Sequence, residues 1–201
     1  MKQFNLKMIA ALTGTLLMLV SATMAISIFW SLHYGEDWTA LALSALITFI
    51  AGIGLRLVNY GNKNREVKKR DGFLIVTSGW VAMSFFGSLP YLVSGYIPGI
   101  ADAFFETISG FTTTGATILT DIESLPKALL FWRSMTHWLG GMGIIVLTVA
   151  ILPLLGVGGM QLFIAEAPGV TPDKLHPRIK ETAKRLWLIY FALTAIETAL
   201  L

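Results

Sequence analysis

The residues best placed to do chemistry are Ser109-Gly110-Phe111-Thr112-Thr113-Thr114-Gly115-Ala116-Thr117. None of their side chains carries a charge. What they offer is backbone. An extended Thr/Gly segment can turn successive carbonyl oxygens toward one axis, where they replace the hydration shell of a monovalent cation. Gly115 permits backbone angles that aim a carbonyl inward without a Cβ clash. A divalent ion would want Asp or Glu oxygens, and this stretch has neither. Just before it, Asp102 suits a helix N-cap, Ala103, Phe104, Thr107 and Ile108 make an apolar face, and Gly110 suits a stop. A helix over 102–110 is roughly 13 Å long and cannot cross a hydrocarbon core of about 30 Å. Its C-terminal end, partially negative, would point toward an ion. The same residues also fit a short surface helix followed by a Thr-rich extracellular loop.

Other groupings offer less. Arg133, Ser134 and His137 lie within about one turn of each other, but a Ser-His pair needs an orienting acid and an oxyanion hole, and no such motif is present. A headgroup-level role is expected for Arg133 and His137. Glu106, inside the short helix, adds negative potential at an outer mouth or stabilises the helix N-terminus. Glu197 faces a bundle or an interface. Gly140, Gly141 and Gly143 suit close helix packing better than open space below a filter. Gly156-Val157-Gly158-Gly159 lacks the Lys-Ser/Thr of a phosphate loop and reads as a flexible turn. With no cysteine there is no disulfide, thiolate metal site or Cys nucleophile. No catalytic or cofactor-binding residue is expected, and the chain does not read as an enzyme.

The elements that must position these groups follow from composition. The chain has 201 residues, 55% hydrophobic and 13% charged. An average soluble domain carries about 25% charged residues. That balance excludes disorder, a collagen-like fibre and an ordinary cytosolic enzyme, and points to a bilayer. Met8–Leu32 is an uncharged run long enough to span, and too long for the apolar region of a signal peptide. With Trp38–Leu57 it makes two N-terminal spans within residues 1–58. Residues 59–72 form a basic cytoplasmic linker. Residues 73–155 hold a span over 73–96, the short helix at 102–110, the Thr/Gly loop at 111–117 and a span over 129–155. A cytoplasmic loop covers 156–184, and a further span begins at 185 and is unfinished at 201, as in the N-terminal portion of a longer protein. The fold class expected is an all-α membrane protein, with two spans followed by a span–pore-helix–span repeat whose filter loop is re-entrant.

Charge orients it. Of 15 Lys and Arg residues, 13 fall in Lys2–Lys7, Arg56–Arg70 and Lys174–Arg185, and only Lys127 and Arg133 fall on the other side. The positive-inside rule puts the N-terminus in the cytoplasm. The net charge of +3 thus serves a membrane better than nucleic acid. Trp30, Tyr34, Trp38, Tyr91, Tyr96 and Trp132 are expected near the outer interface, and Trp187 near the inner one. The five bases between Lys63 and Arg70 are explained by topology, with lipid headgroups or an acidic partner as functional readings.

The Ser109–Thr117 stretch resembles the first filter of the Trk/Ktr/HKT superfamily of potassium transporters. The likeness to its TrkH-type membrane subunits extends through Lys69-Arg70-Asp71-Gly72-Phe73-Leu74-Ile75-Val76, Gly87-Ser88-Leu89-Pro90 and Asp102-Ala103-Phe104-Phe105-Glu106. It continues in Leu125-Pro126-Lys127-Ala128, Gly140-Gly141-Met142-Gly143, Ile151-Leu152-Pro153 and Gly158-Gly159-Met160-Gln161-Leu162. The resemblance implies four span–pore-helix–span repeats around one pore. This chain would hold two extra spans, the first repeat and the start of the second. It implies Thr112, Thr113, Thr114 and Gly115 as K⁺ ligands through backbone carbonyls, with Thr113 and Thr114 in direct contact. It implies K⁺ uptake across a bacterial inner membrane, a homodimer of the full-length protein, and a cytosolic nucleotide-binding regulatory ring of the TrkA type, which Arg65, Lys68, Arg178 and Lys180 would meet. A non-conducting anchoring or assembly subunit is the alternative.

Overall fold

A computed structural model describes residues 5–58, 69–155 and 175–200. All of its elements are helices, and no strand occurs among the described residues. In order they are α1 (Leu6–Tyr34), α2 (Thr39–Leu57), α3 (Lys69–Gly87), α4 (Leu89–Ser94), α5 (Ile100–Phe111), α6 (Lys127–Leu155) and α7 (Leu175–Leu200). The chain divides into two units, Met1–Gly140 and Gly141–Leu201. The 59–68 part of the expected 59–72 linker, with Lys63, Arg65 and Lys68, and the 156–174 part of the expected loop lie outside the described residues, as do the side chains of Arg178 and Lys180, while 69–72 are the first residues of α3 rather than linker.

Among the described residues, three stretches are long and apolar enough to cross a membrane: Leu6–Tyr34, Thr39–Leu57 and Asp71–Ser94. The first two are apolar all round, as helices facing lipid on one side and protein on the other must be. They meet through small residues. A Cβ on Gly14 would sit 2.5 Å from the Gly52 carbonyl oxygen, and one on Gly52 would sit 2.9 Å from that of Gly14. Ser21 Oγ donates to the Ala45 carbonyl across the pair at 2.8 Å. Other buried hydroxyls fold onto their own helix, as Ser44 does on Ala40 and Thr48 on Ser44, both at 2.7 Å, which satisfies those donors in an apolar setting.

The third stretch is broken where sequence reading ran it straight through 73–96. Pro90 has no N–H and cannot continue the helical ladder. Tyr91 N–H turns to the Ser88 carbonyl at 3.1 Å rather than to Gly87 four residues back. The carbonyl of Gly87 then takes the indole N–H of Trp132 at 3.0 Å. Trp132 and Tyr91 are fully buried in protein, so neither is the lipid-interface aromatic that its position suggested. Trp30 does lie among aromatics, stacked on Tyr34 at 6.1 Å and 5.1 Å from the Phe131 ring.

Helix α6 begins with a cap borrowed from far upstream. The Glu36 carboxylate, in the turn between α1 and α2, accepts Lys127 N–H at 2.7 Å and Ala128 N–H at 3.0 Å. These are two of the N–H groups that a helix start leaves without partners, and negative charge suits that end. Replacing Glu36 by Ala should lower stability by about 1 kcal/mol, the usual cost of a lost cap. Thermal unfolding of the purified protein checks this. Asp37→Ala, next door, should shift the midpoint less, because Asp37 serves only Thr39 beside it, at 2.9 Å.

In the second unit, α7 starts at Leu175, ten residues before the span expected from 185, so 175–184 is helix rather than loop. Pro177 is tolerated there because the first turn needs no such donor.

Candidate ion-coordinating loop

Helix α5 is 12 residues long, with Gly99 rather than Asp102 at its N-cap. At 1.5 Å per residue it reaches about 18 Å, short of a crossing. It is flanked by two helices that hold it closely. A Cβ on Gly87 would lie 2.8 Å from Thr107 Cγ2 and 2.9 Å from Phe111 Cε2. A Cβ on Gly140 would strike the Phe111 carbonyl oxygen and lie 2.6 Å from its carbon. Packing is therefore the role of Gly140, which lets α6 reach the backbone at the end of α5. Phe111 is buried edge-on to Trp132, with ring centres 6.5 Å apart.

The loop that follows is not extended at its start. Thr112 keeps helical angles, φ −81° and ψ 0°. Thr113 then has φ +56° and Gly115 has φ +76°. A threonine in the left-handed region is strained, and such strain gathers at working sites. The cause is local. The N–H groups of Thr112, Thr113 and Thr114 fold back onto the carbonyls of Ile108, Gly110 and Ser109 at 2.9, 2.9 and 3.0 Å. Gly115 N–H also points to Ser109, at 3.5 Å. Thr112 Oγ1 donates to Ile108 at 2.7 Å and lies 2.8 Å from Thr114 Oγ1. Every backbone N–H of 112–115 is thus turned toward α5. Among the described hydrogen bonds, none reaches the carbonyl oxygens of Thr112, Thr113, Thr114 or Gly115, and all four residues are exposed. The extended strand expected over these four residues is not what forms: the chain alternates hand.

Behind the loop lies a pair that sequence reading treated as two unrelated residues. The Glu106 side chain is 1% exposed and that of Arg133 18%. Arg133 Nε–H donates to Glu106 Oε1 at 2.7 Å. Glu106 Oε2 accepts the Thr117 hydroxyl at 2.8 Å and Ile118 N–H at 3.1 Å. Arg133 is thus a counter-ion inside the protein rather than a headgroup anchor. One signal pointed to it: a buried carboxylate needs a cation, and Lys127 and Arg133 are the only bases near this segment. His137 Nδ1 lies 3.0 Å from the Arg133 carbonyl, and no hydrolytic arrangement forms around it among the described residues. A separate cleft of about 620 Å³, lined by Glu36, Asp37, Tyr96 and Pro126 among others, includes none of Thr112 to Gly115.

Comparison with known proteins places these features in a group. The family model for TrkH, described as cation transport protein, matches residues 40–201. The Trk system potassium uptake protein TrkH of Halomonas elongata is 48% identical over 193 residues, covering 94% of this chain and 40% of its own length. That of Escherichia coli K12 is 49% identical over 194 residues, with the same coverage. The crystal structure of the potassium transporter TrkH from Vibrio parahaemolyticus superposes with a TM-score of 0.79 at 41% identity, covering 96% of this chain and 38% of that one. The chain spans about 40% of the length of the curated relatives it matches.

Proposed function

The chain belongs to the TrkH family of cation transport proteins, a transporter and not an enzyme family, and from that premise we propose that it supplies part of a K⁺ uptake path. In this reading α5 is a pore helix and Thr112, Thr113, Thr114 and Gly115 are one strand of a selectivity filter. The transported ion is K⁺, which its relatives are named for. The carrying observation is the one-sided loop: the backbone N–H groups of 112–115 face α5, and no hydrogen bond among the described residues reaches their four carbonyl oxygens. Oxygens in that state suit a partly dehydrated alkali ion, which needs several weak ligands in order to leave again. Other strands of the same kind would complete the ring.

The placement of 13 of 15 bases supports a multi-pass protein of the bacterial inner membrane with its N-terminus in the cytoplasm. A homodimer and a cytosolic nucleotide-binding ring are the partners this reading implies.

Gly115→Ser tests the filter. No atom lies within 4 Å of an added Cβ, so the effect comes from φ +76° alone. Holding an L side chain there costs about 1–2 kcal/mol, enough to rotate the adjoining carbonyls instead. In potassium-limited cells that depend on the gene encoding this chain, the K⁺ over Na⁺ preference should fall by about tenfold, the factor that such an energy sets. Normal preference and normal uptake would instead favour the anchoring subunit.

A further inference from the structure

The loop is tied down at two points on one face of α5. Ser109 Oγ donates to the Ala116 carbonyl at 2.6 Å. Glu106, three residues earlier and so on the same face, takes the Thr117 hydroxyl and Ile118 N–H on one carboxylate oxygen. Its other oxygen is occupied by Arg133 of α6. Thr117 Oγ1 in turn accepts Leu119 N–H at 3.1 Å, extending the tie one residue further. The carboxylate therefore connects three things: the helix, the chain leaving Gly115, and the neighbouring helix.

The geometry points to Glu106 as a positioning residue that sets ion preference, with Arg133 supplying the counter-charge that lets a carboxylate stay buried there. This rests on the filter reading above. Two alkali ions of equal charge differ only in size, so discrimination depends on where the carbonyl oxygens stand. The Thr113 backbone is strained, and a strained segment keeps its shape only while its surroundings over-determine it. Ser109 and Glu106 are those surroundings at the trailing end. The essential property is an acceptor facing Thr117 and Ile118, not the charge as such.

That distinction gives a test, made in potassium-limited cells relying on the gene for this chain, with protein in the membrane measured by immunoblot. E106L/R133M removes both charges and the acceptor. It leaves no unpaired ion, so a merely structural role of the ion pair predicts little change, whereas a role of the charge itself predicts the same loss here as in the next double. The positioning role predicts normal membrane abundance with K⁺ over Na⁺ preference reduced about tenfold, the scale of one lost hydrogen bond to a charged group. E106Q/R133M also removes both charges but keeps an amide oxygen for Thr117 and Ile118. It should bring the preference back to within about threefold of wild type. Unchanged preference in E106L/R133M, or equal loss in both doubles, overturns the proposal. If E106L/R133M does not reach the membrane, Thr117→Val decides. It leaves the ion pair intact and cuts the tie through the Thr117 hydroxyl, both its donation to Glu106 and its acceptance of Leu119 N–H, so a drop of about threefold supports the role and no drop overturns it. Should Gly115→Ser shift the preference while none of these variants does, only this inference falls. Should Gly115→Ser itself be silent, the filter reading falls first.

Discussion

Gly140→Ala should reduce K⁺ uptake by at least about tenfold, although alanine is the better helix former by about 1 kcal/mol. Both effects act at one site and the clash is the larger. The new Cβ would meet the Phe111 carbonyl oxygen, with the carbonyl carbon at 2.6 Å and Cα at 2.9 Å. All three are backbone atoms, so no rotamer change makes room. Either α6 withdraws from α5 or the peptide between Phe111 and Thr112 rotates, and that peptide leads directly into the loop. Overpacking of this kind costs about 1–3 kcal/mol or more, which exceeds the gain in helix propensity. Gly54→Ala is the control. It lies within α2 with nothing inside 4 Å of its would-be Cβ, so propensity alone should act and stability should rise slightly. Uptake rates of the two variants, compared at matched membrane abundance, check the pair. Equal behaviour of Gly140→Ala and Gly54→Ala would contradict the contact.

The second large effect is on stability. Trp132→Ala should lower it by about 3–5 kcal/mol and Trp132→Phe by about 1–3 kcal/mol. In a bilayer the chain outside its native packing is still surrounded by apolar tails, so little of this comes from transfer out of water. It comes from the cavity beside Phe111 and from a carbonyl left without a donor. Pro90 is the reason that carbonyl exists. With no N–H at 90 and Tyr91 bonded to Ser88, Gly87 depends on the indole. Trp132→Phe keeps most of the volume and removes only that bond, so the gap between the two variants separates packing from hydrogen bonding. Thermal midpoints of the purified protein in detergent should order wild type, then Phe, then Ala.

Much of the architecture was legible from residues alone. The runs at Met8–Leu32 and Trp38–Leu57 needed only length and apolarity to be read as spans, and α1 and α2 match them within a few residues. The short helix was found at 102–110 and lies at Ile100–Phe111. Its N-cap was misassigned because Asp102 is the better capping side chain, whereas Gly99 holds the position by its backbone angles. The helix expected through 73–96 breaks at Ser88, two residues ahead of Pro90, within a stretch that is still long and apolar enough to cross. That proline was visible but was read as passing inside a continuous apolar run.

Local signals along the chain were enough to place α1, α2 and α5, to mark the first two as long and apolar enough to cross a bilayer, and to leave Thr112 to Gly115 without charge. Those properties follow from neighbours within a turn or two, through periodicity, propensity and hydropathy. Packing in three dimensions set the hand of the chain at Thr113, the cap that Glu36 gives a helix 91 residues onward, and the pairing of Glu106 with Arg133 at a separation of 27. A carboxylate records that it needs a partner, but not which one. That choice is made when helices pack, and at Gly140 the packing depends on the absence of a single carbon atom.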